Sequence, residues 1–256
     1  MTPTSNLEIA PVDVSYAVDQ EMRRLIVTID GPAGTGKSSV ARDLARELSL
    51  EFLDTGAMYR ATTALAIDHG VGLTDEAGIE RLLRDADLFF HWNTDPPTLT
   101  AFGKSIMHRL RDHDVTTGVT PVSQLPRVRH VLVDAQRRIG EAHPRLVSEG
   151  RDQGSVVFRD AEVKIYLYAA PAVRARRRAD QLRAAAQHAD ESQIERELIQ
   201  RDHSDSTRAV GPLVVPPDSV QFDTSTLDQR SVVAELAKIV RERAPAGALE
   251  SGVARA

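Results

Sequence analysis

Residues 25–38 read Leu-Ile-Val-Thr-Ile-Asp-Gly-Pro-Ala-Gly-Thr-Gly-Lys-Ser, and this stretch decides the fold. Its opening, Leu25–Asp30, is short, apolar and β-branched, the pattern of a strand buried within a parallel sheet. The residues that follow, Gly31, Pro32, Ala33, Gly34, Thr35, Gly36, Lys37 and Ser38, match G-x-x-x-x-G-K-[ST]. Behind them Lys37–Leu48 carries Val40, Leu44 and Leu48 on one face, so the glycine-rich turn opens a helix. Strand, glycine turn and helix in this order form a cradle for phosphates. Glycine lets the main chain come close to an anion, and consecutive N–H groups at a helix N-terminus make an anion nest. Lys37 places a point charge between β- and γ-phosphates, and the Ser38 hydroxyl can coordinate Mg²⁺. Gly31 through Ser38, together with Ser39, are the candidate ATP-binding residues, and Lys37 is a candidate catalytic one.

Outward from this stretch, strands and helices alternate. Strand patterns fall at Glu51–Asp54, Arg145–Ser148, Val163–Tyr168 and Val220–Thr224. Helical patterns fall at Tyr59–His69, Gln124–Ala142, 171–187, 190–203 and Leu227–Arg243. Such alternation predicts an α/β fold of the P-loop NTPase kind, a parallel sheet with helices on both faces. Residues 71–105 break the rhythm. Leu88–Trp92 and Thr98–Phe102, separated by Asp95-Pro96-Pro97, read as a hairpin-like insert. Residues 1–24 read as a loosely held extension, 25–244 as the main domain and 245–256 as a flexible tail.

The chain of 256 residues, 41% hydrophobic and 27% charged, can build one sizeable core. A net charge of −5 argues against a general nucleic-acid binder. The absence of cysteine excludes thiolate catalysis and disulfides. The sequence has neither a membrane-length apolar run nor a signal-peptide pattern, so a cytoplasmic protein without membrane or nucleic-acid partners is expected, as a monomer.

The cradle does not say what receives the phosphate, and the rival readings fail on specific residues. A signalling GTPase reads guanine with N-K-x-D, but the two asparagines, Asn6 and Asn93, do not precede lysine. The G-G-G acceptor motif of shikimate-kinase-like enzymes is absent, and Leu146-Val147-Ser148-Glu149 is a poor Walker-B strand. What remains points to a second anionic substrate. Asp54-Thr55-Gly56-Ala57-Met58-Tyr59-Arg60 occupies a strand-to-helix turn, followed much later by Gly150-Arg151-Asp152 and by an Arg201–Arg208 segment rich in arginine and aspartate. Bringing two phosphate-bearing anions to roughly 4–5 Å costs several kcal/mol even at an effective dielectric near 20. Mg²⁺ and bidentate arginine forks offset that repulsion. Arg174 and Arg183, by contrast, read as members of a solvated helix face.

At these residues the chain resembles the bacterial cytidylate kinase family. The segments IDGPAGTGKS, LDTGAMYRA, LPRVR, EGRDQGSVVF, RDHSDSTRAVGPL and FDTSTL carry the likeness from about Leu25 to Arg243, in the family's order and nearly its spacing. The resemblance implies a five-stranded parallel sheet, a small insert (about 71–122) over the acceptor site and a helical lid (about 171–205). It implies ATP-dependent phosphorylation of CMP or dCMP, with Mg²⁺ accompanying ATP. Carried over, Thr55, Arg60, Arg151 and Arg208 would hold the acceptor phosphate. Arg201 and Asp205 would hold the ribose, and Thr120, Arg129 and Asp152 would read the base. Arg177 and Arg178 are the candidate lid arginines closing on the transferring phosphoryl group, Arg176 being less well placed on the same helix.

The base-reading trio also makes chemical sense. Cytosine offers a donor amine at N4 and acceptors at N3 and O2. A carboxylate and a hydroxyl accept from the amine, and an arginine donates to the ring acceptors. Departures from the family pattern are Gln153, which puts an amide next to the acceptor site in place of an apolar residue, Arg159 for proline, and Gly211 for alanine. Asp30 reads either as an orienter of Mg²⁺ or as a cap for the turn. A kinase of another monophosphate such as UMP, and a nucleotide-binding regulator without turnover, are the alternatives left open.

Overall fold

The computed structural model describes residues 24–249. The expected N-terminal extension therefore lies, but for Arg24, outside the described residues, as does the tail from residue 250.

The first strand, β1 (Leu25–Asp30), leads through the cradle into α1 (Lys37–Glu47), then β2 (Glu51–Asp54) and α2 (Thr55–Asp68). Helix α2 begins earlier than its apolar pattern suggests because Asp54 caps it, accepting a hydrogen bond from Ala57 N at 2.8 Å. The middle of the chain holds α3 (Glu76–Ala86), β3 (Phe89–His91), β4 (Thr98–Ala101), β5 (Lys104–Ser105) and α4 (His113–Gln124). Next come α5 (Pro126–Ala142), β6 (Arg145–Glu149), a π-helical turn (Gln153–Val157) and β7 (Val163–Tyr168). The chain closes with α6 (Pro171–Ala184), α7 (Glu191–Thr207), β8 (Val220–Asp223) and α8 (Gln229–Arg243).

Five strands form a parallel sheet in the order β2-β6-β1-β7-β8. β1 is therefore central, and it is buried throughout. Alternation along the strands sends side chains to two separate cores. Leu25, Val27 and Ile29 of β1, with Val163, Ile165 and Leu167 of β7, pack against Val40 and Leu44 of α1 and Leu236 and Val240 of α8. Ile26, Leu53 and Leu146 face the other way, toward α2 and α5. On that second face the upper parts of β1 and β6 carry Thr28, Asp30 and Ser148, all fully buried. A buried polar layer of this kind calls for partners; Asp30 and Ser148 find them in the turn after β6, described below, while the Thr28 hydroxyl has none among the described residues.

The hairpin expected near 88–102 is present as the antiparallel sheet β3-β4-β5. Two helices flank it that the sequence reading did not separate. In α3 the apolar positions Ile79, Leu83 and Ala86 are buried against the α2–α5 core. α4 ends at Leu125, whose extended backbone (ψ 117°) follows from the proline after it. The insert is tied to the sheet edge by Trp92, which stacks on His143 at 4.2 Å, and His143 in turn pairs with Glu51 at 2.8 Å. Helices α6 and α7 pack through Ala175, Ala179 and Ile194. In the segment expected to be a flexible tail, Pro245 and Ala246 are exposed but Ala248 is buried, and its carbonyl accepts a hydrogen bond from Arg145.

Candidate active site

Four acidic residues end four of the five parallel strands: Asp30, Asp54, Glu149 and Asp223. Sites in open parallel sheets form at these carboxyl ends, and the sequence-derived candidates gather there.

The cradle turns sharply at Gly31 (φ +148°), where any Cβ would run into the Leu167 carbonyl of the neighbouring strand. Gly36, at φ +88°, opens α1. Lys37 is buried, and its Nζ donates to Pro32 O at 2.7 Å and to Thr35 Oγ1 at 3.5 Å, so the ammonium curls over the turn it belongs to. Burial, then the positive field of Arg151, push its pKa down to about 7, with Glu149 opposing. Ser38 Oγ donates to Glu149 Oε1 at 2.7 Å. Burial and the nearby Asp54 raise the Glu149 pKa.

Beside the cradle lies a ring of guanidinium groups. Thr55 Oγ1 donates to Glu149 O at 2.7 Å, and Arg60 pairs with Asp54 at 2.8 Å, leaving its buried Nε without a partner. Arg151 Nε donates to Asp205 Oδ2 at 2.9 Å. Arg201 has its pKa lowered to about 10 by burial and by the positive charges of Arg151 and Arg60. Arg60, Arg151, Arg201 and Lys37 thus share one field. Asp205 is the counter-charge: burial alone would raise its pKa, but Arg151, Arg201 and Arg208 hold it down.

Deeper in, Arg129 Nη2 pairs with Asp152 Oδ2, both side chains being almost fully enclosed at 1% and 4% exposure. Arg208 approaches the other Asp152 oxygen at 3.8 Å, and the Arg129 guanidinium lies 5.4 Å from the Tyr59 ring centroid. Gly211 (φ +59°) closes over the pair, and a Cβ there would land on both Asp152 and Arg129. Thr120 is half-buried on α4, and its carbonyl accepts from Ser123 Oγ at 2.8 Å. Its link to the pair is indirect, since Arg129 Nη1 donates to Ser123 O at 3.1 Å. The hydroxyl of Thr120 does not join Arg129 or Asp152.

Comparison with known proteins gives the chain its family. A family model described as cytidylate kinase matches residues 27–242. The chain belongs to the cytidylate kinase family. A cytidylate kinase of Mycobacterium leprae is 44% identical over 88% of this chain and 99% of its own length. One from Rhodococcus jostii is 46% identical over 88% of this chain and 98% of its own, and one from Azotobacter vinelandii 39% identical over 88% and 99%. As a cytidylate kinase family member the chain is a nucleotide-binding transferase of the P-loop kinases.

Several residues of this cytidylate kinase family member sit elsewhere than the sequence reading expected. Arg177 does not reach the cradle: its guanidinium donates to Thr224 Oγ1 at 3.1 Å and to the carbonyls of Thr224 and Leu227. Arg178 is exposed on α6 and Arg176 likewise. The arginine of α6 that does reach the cradle is Arg174, expected on a solvated face but buried. Its Nη1 donates to Ala33 O at 2.8 Å and pairs with Asp202 at 2.7 Å, while Asp202 accepts from Ala33 N. Position 174 lies about a turn before 177 and 178, and packing of α6 on the cradle selects it.

Asp30 caps the turn after β6, its two oxygens accepting from Gln153 N at 2.8 Å and Gly154 N at 2.7 Å. Burial still pushes its pKa up to about 7. Gln153 does not turn its amide to the acceptor side. It is buried, accepts from Ser148 Oγ at 2.8 Å and donates to Gln136 Oε1 at 3.2 Å. Glu149 was missed, because its strand lacks the apolar run of a Walker-B strand. An acid immediately before Gly150-Arg151-Asp152, at a predicted strand end, was the available signal. Among the described residues no helix is long and apolar enough to cross a membrane.

Proposed function

We propose that this site transfers the γ-phosphate of ATP to CMP or dCMP by direct in-line displacement. The observation that carries the reading is the enclosed Arg129–Asp152 pair, set behind a ring of arginines that opens beside Lys37. A carboxylate held by Arg129 accepts from the cytosine N4 amine, while Arg129 offers its remaining donors to the ring acceptors. Uracil, with a carbonyl at position 4, meets the carboxylate with a second acceptor. Arg60, Arg151 and Arg208 take the acceptor phosphate and release their present carboxylate partners toward it. Arg201 and Asp205 take the ribose. The acceptor dianion needs no strong base, so positioning and charge stabilisation carry the rate.

Ser38 and Glu149 would hold Mg²⁺. A hydroxyl with one carboxylate suits a hard ion that keeps waters and substrate phosphates as its other ligands, and the described residues contain no richer acidic cluster. Bound there, the ion would neutralise charge on the β- and γ-oxygens. Residues 71–122 cover the acceptor side in this reading. Residues 171–205 act as the lid, Arg178 being the exposed guanidinium free to swing inward. The protein would work as a cytoplasmic monomer on free nucleotides.

A coupled assay with ATP and a panel of monophosphates tests the reading. CMP and dCMP should be the preferred acceptors. Preferred turnover of UMP, AMP or GMP would overturn the assignment.

A further inference from the structure

Gln153 stands one residue after Asp152 and is itself almost wholly enclosed, at 1% exposure. Every polar atom of the residue is engaged. Its N–H donates to Asp30 and its C=O accepts from Phe158 N at 2.7 Å. Its Oε1 accepts from Ser148 of β6 at 2.8 Å, and its Nε2 donates to Gln136 of α5 at 3.2 Å. Gln136 is fully buried and follows Arg129 by seven residues, two helical turns, on the same face of α5. Gln136 Nε2 is itself buried without a hydrogen-bond partner among the described residues, as is the Tyr59 hydroxyl. The Tyr59 ring, in turn, lies beneath the Arg129 guanidinium. Gln136, Gln153, Asp152 and Arg129 therefore form a run of buried groups that leaves α5 at Gln136, passes through the main chain from Gln153 to Asp152, and returns to α5 through the Asp152–Arg129 salt bridge.

The rest of the fold does not require an amide at 153. The Asp30 cap uses main-chain N–H groups that any residue except proline would supply. What the amide adds is a side-chain link from the Asp152 turn to the helix that carries Arg129. In an enclosed setting a directed hydrogen bond between two amides resists sliding more than an apolar contact does.

We propose that Gln153 is a positioning residue for base recognition: clamped between Ser148 and Gln136, it holds the Asp152 turn and α5 at a set spacing, so that Asp152 and Arg129 present to the base as one rigid pair. This rests on the reading that these two residues contact cytosine. A small error in that spacing weakens two directional hydrogen bonds at once, so its cost should fall on CMP and on discrimination against UMP, leaving ATP untouched.

The test compares Gln153→Leu, the double variant Gln153→Leu/Gln136→Leu, and Asp152→Ala in the full-length protein. Steady-state constants for CMP, UMP and ATP are measured beside thermal unfolding. Gln153→Leu should raise the KM for CMP about tenfold and narrow the CMP/UMP ratio of kcat/KM by a similar factor, with the KM for ATP within about twofold of wild type. The double variant removes both amides and leaves less unpaired polar surface. If Gln153 served folding alone, the double variant would recover CMP affinity together with melting temperature; under the proposal stability recovers and selectivity does not. Should the single variant not fold, the double variant carries the same comparison. An unchanged CMP/UMP ratio in folded Gln153→Leu or in the double variant, while Asp152→Ala collapses it, overturns the role of Gln153 alone. A ratio unmoved by Asp152→Ala overturns the base-reading assignment beneath it.

Discussion

The Ser38 hydroxyl donates to a Glu149 carboxylate oxygen at 2.7 Å, joining the first turn of α1 to the end of β6 across the mouth of the cradle. The bond puts an acid whose pKa is raised by burial beside the one hydroxyl that the cradle motif assigns to the metal. In the function proposed above, this carboxylate would serve the cation.

Glu149→Gln preserves shape and removes that charge. Apparent Mg²⁺ affinity should weaken about 10- to 100-fold, as when a metal site's supporting carboxylate is lost. A Mg²⁺ titration of the rate at saturating nucleotide reads this directly. An unchanged midpoint would remove Glu149 from the metal site.

Lys37→Ala should lower kcat by about 10³-fold, a loss of the order seen when a preorganised electrostatic donor is deleted. The fold should survive, because Lys37 bonds only to residues of its own turn. Circular dichroism beside the rate measurement separates the two effects, and wild-type turnover would refute the cradle assignment.

Protonation of Lys37 should be linked to nucleotide binding. Burial and Arg151 bring the free lysine to about 7, and triphosphate beside it must raise that value again. Binding above pH 7 therefore takes up a proton. ATP affinity should fall as pH rises above 7, by up to about one decade per pH unit until the pKa of the bound form is reached. Calorimetry at pH 8 in buffers of different ionisation enthalpy measures the uptake, and proton release would contradict it.

Arg174→Ala should destabilise the protein by about 3 kcal/mol, since it strands Asp202 and the Ala33 carbonyl in an enclosed setting. It should also raise the KM for ATP, because Ala33 belongs to the cradle. Arg178→Ala should leave the melting temperature unchanged and lower kcat if it is the closing arginine. Thermal scans and kinetics of the pair distinguish support from lid.

The local motifs were legible because each is contiguous: the glycine turn, its preceding strand and following helix, and the Gly150-Arg151-Asp152 segment need only neighbours in sequence to be read. The five-stranded sheet was within reach for the same reason, as β-branched runs and helical periodicity alternate plainly. Within residues 71–125 the separate helices α3 and α4 were not. Their short apolar patterns acquire meaning only by burial against α2 and α5, and the break between α4 and α5 turns on a single proline.

By itself the sequence determined that two anions meet at a phosphate cradle ringed with arginine. Which arginine serves which task was decided only in three dimensions. Residues 177 and 178 follow 174 by about one helical turn, and the packing of α6 sends Arg174 into the cradle and Arg177 to the loop after β8. The same holds for Ser38 with Glu149, 111 residues apart, and for the Gln153 amide, which turns into the core instead of toward the acceptor. Side-chain direction and long-range partnership depend on burial, and burial is a property of the assembled fold.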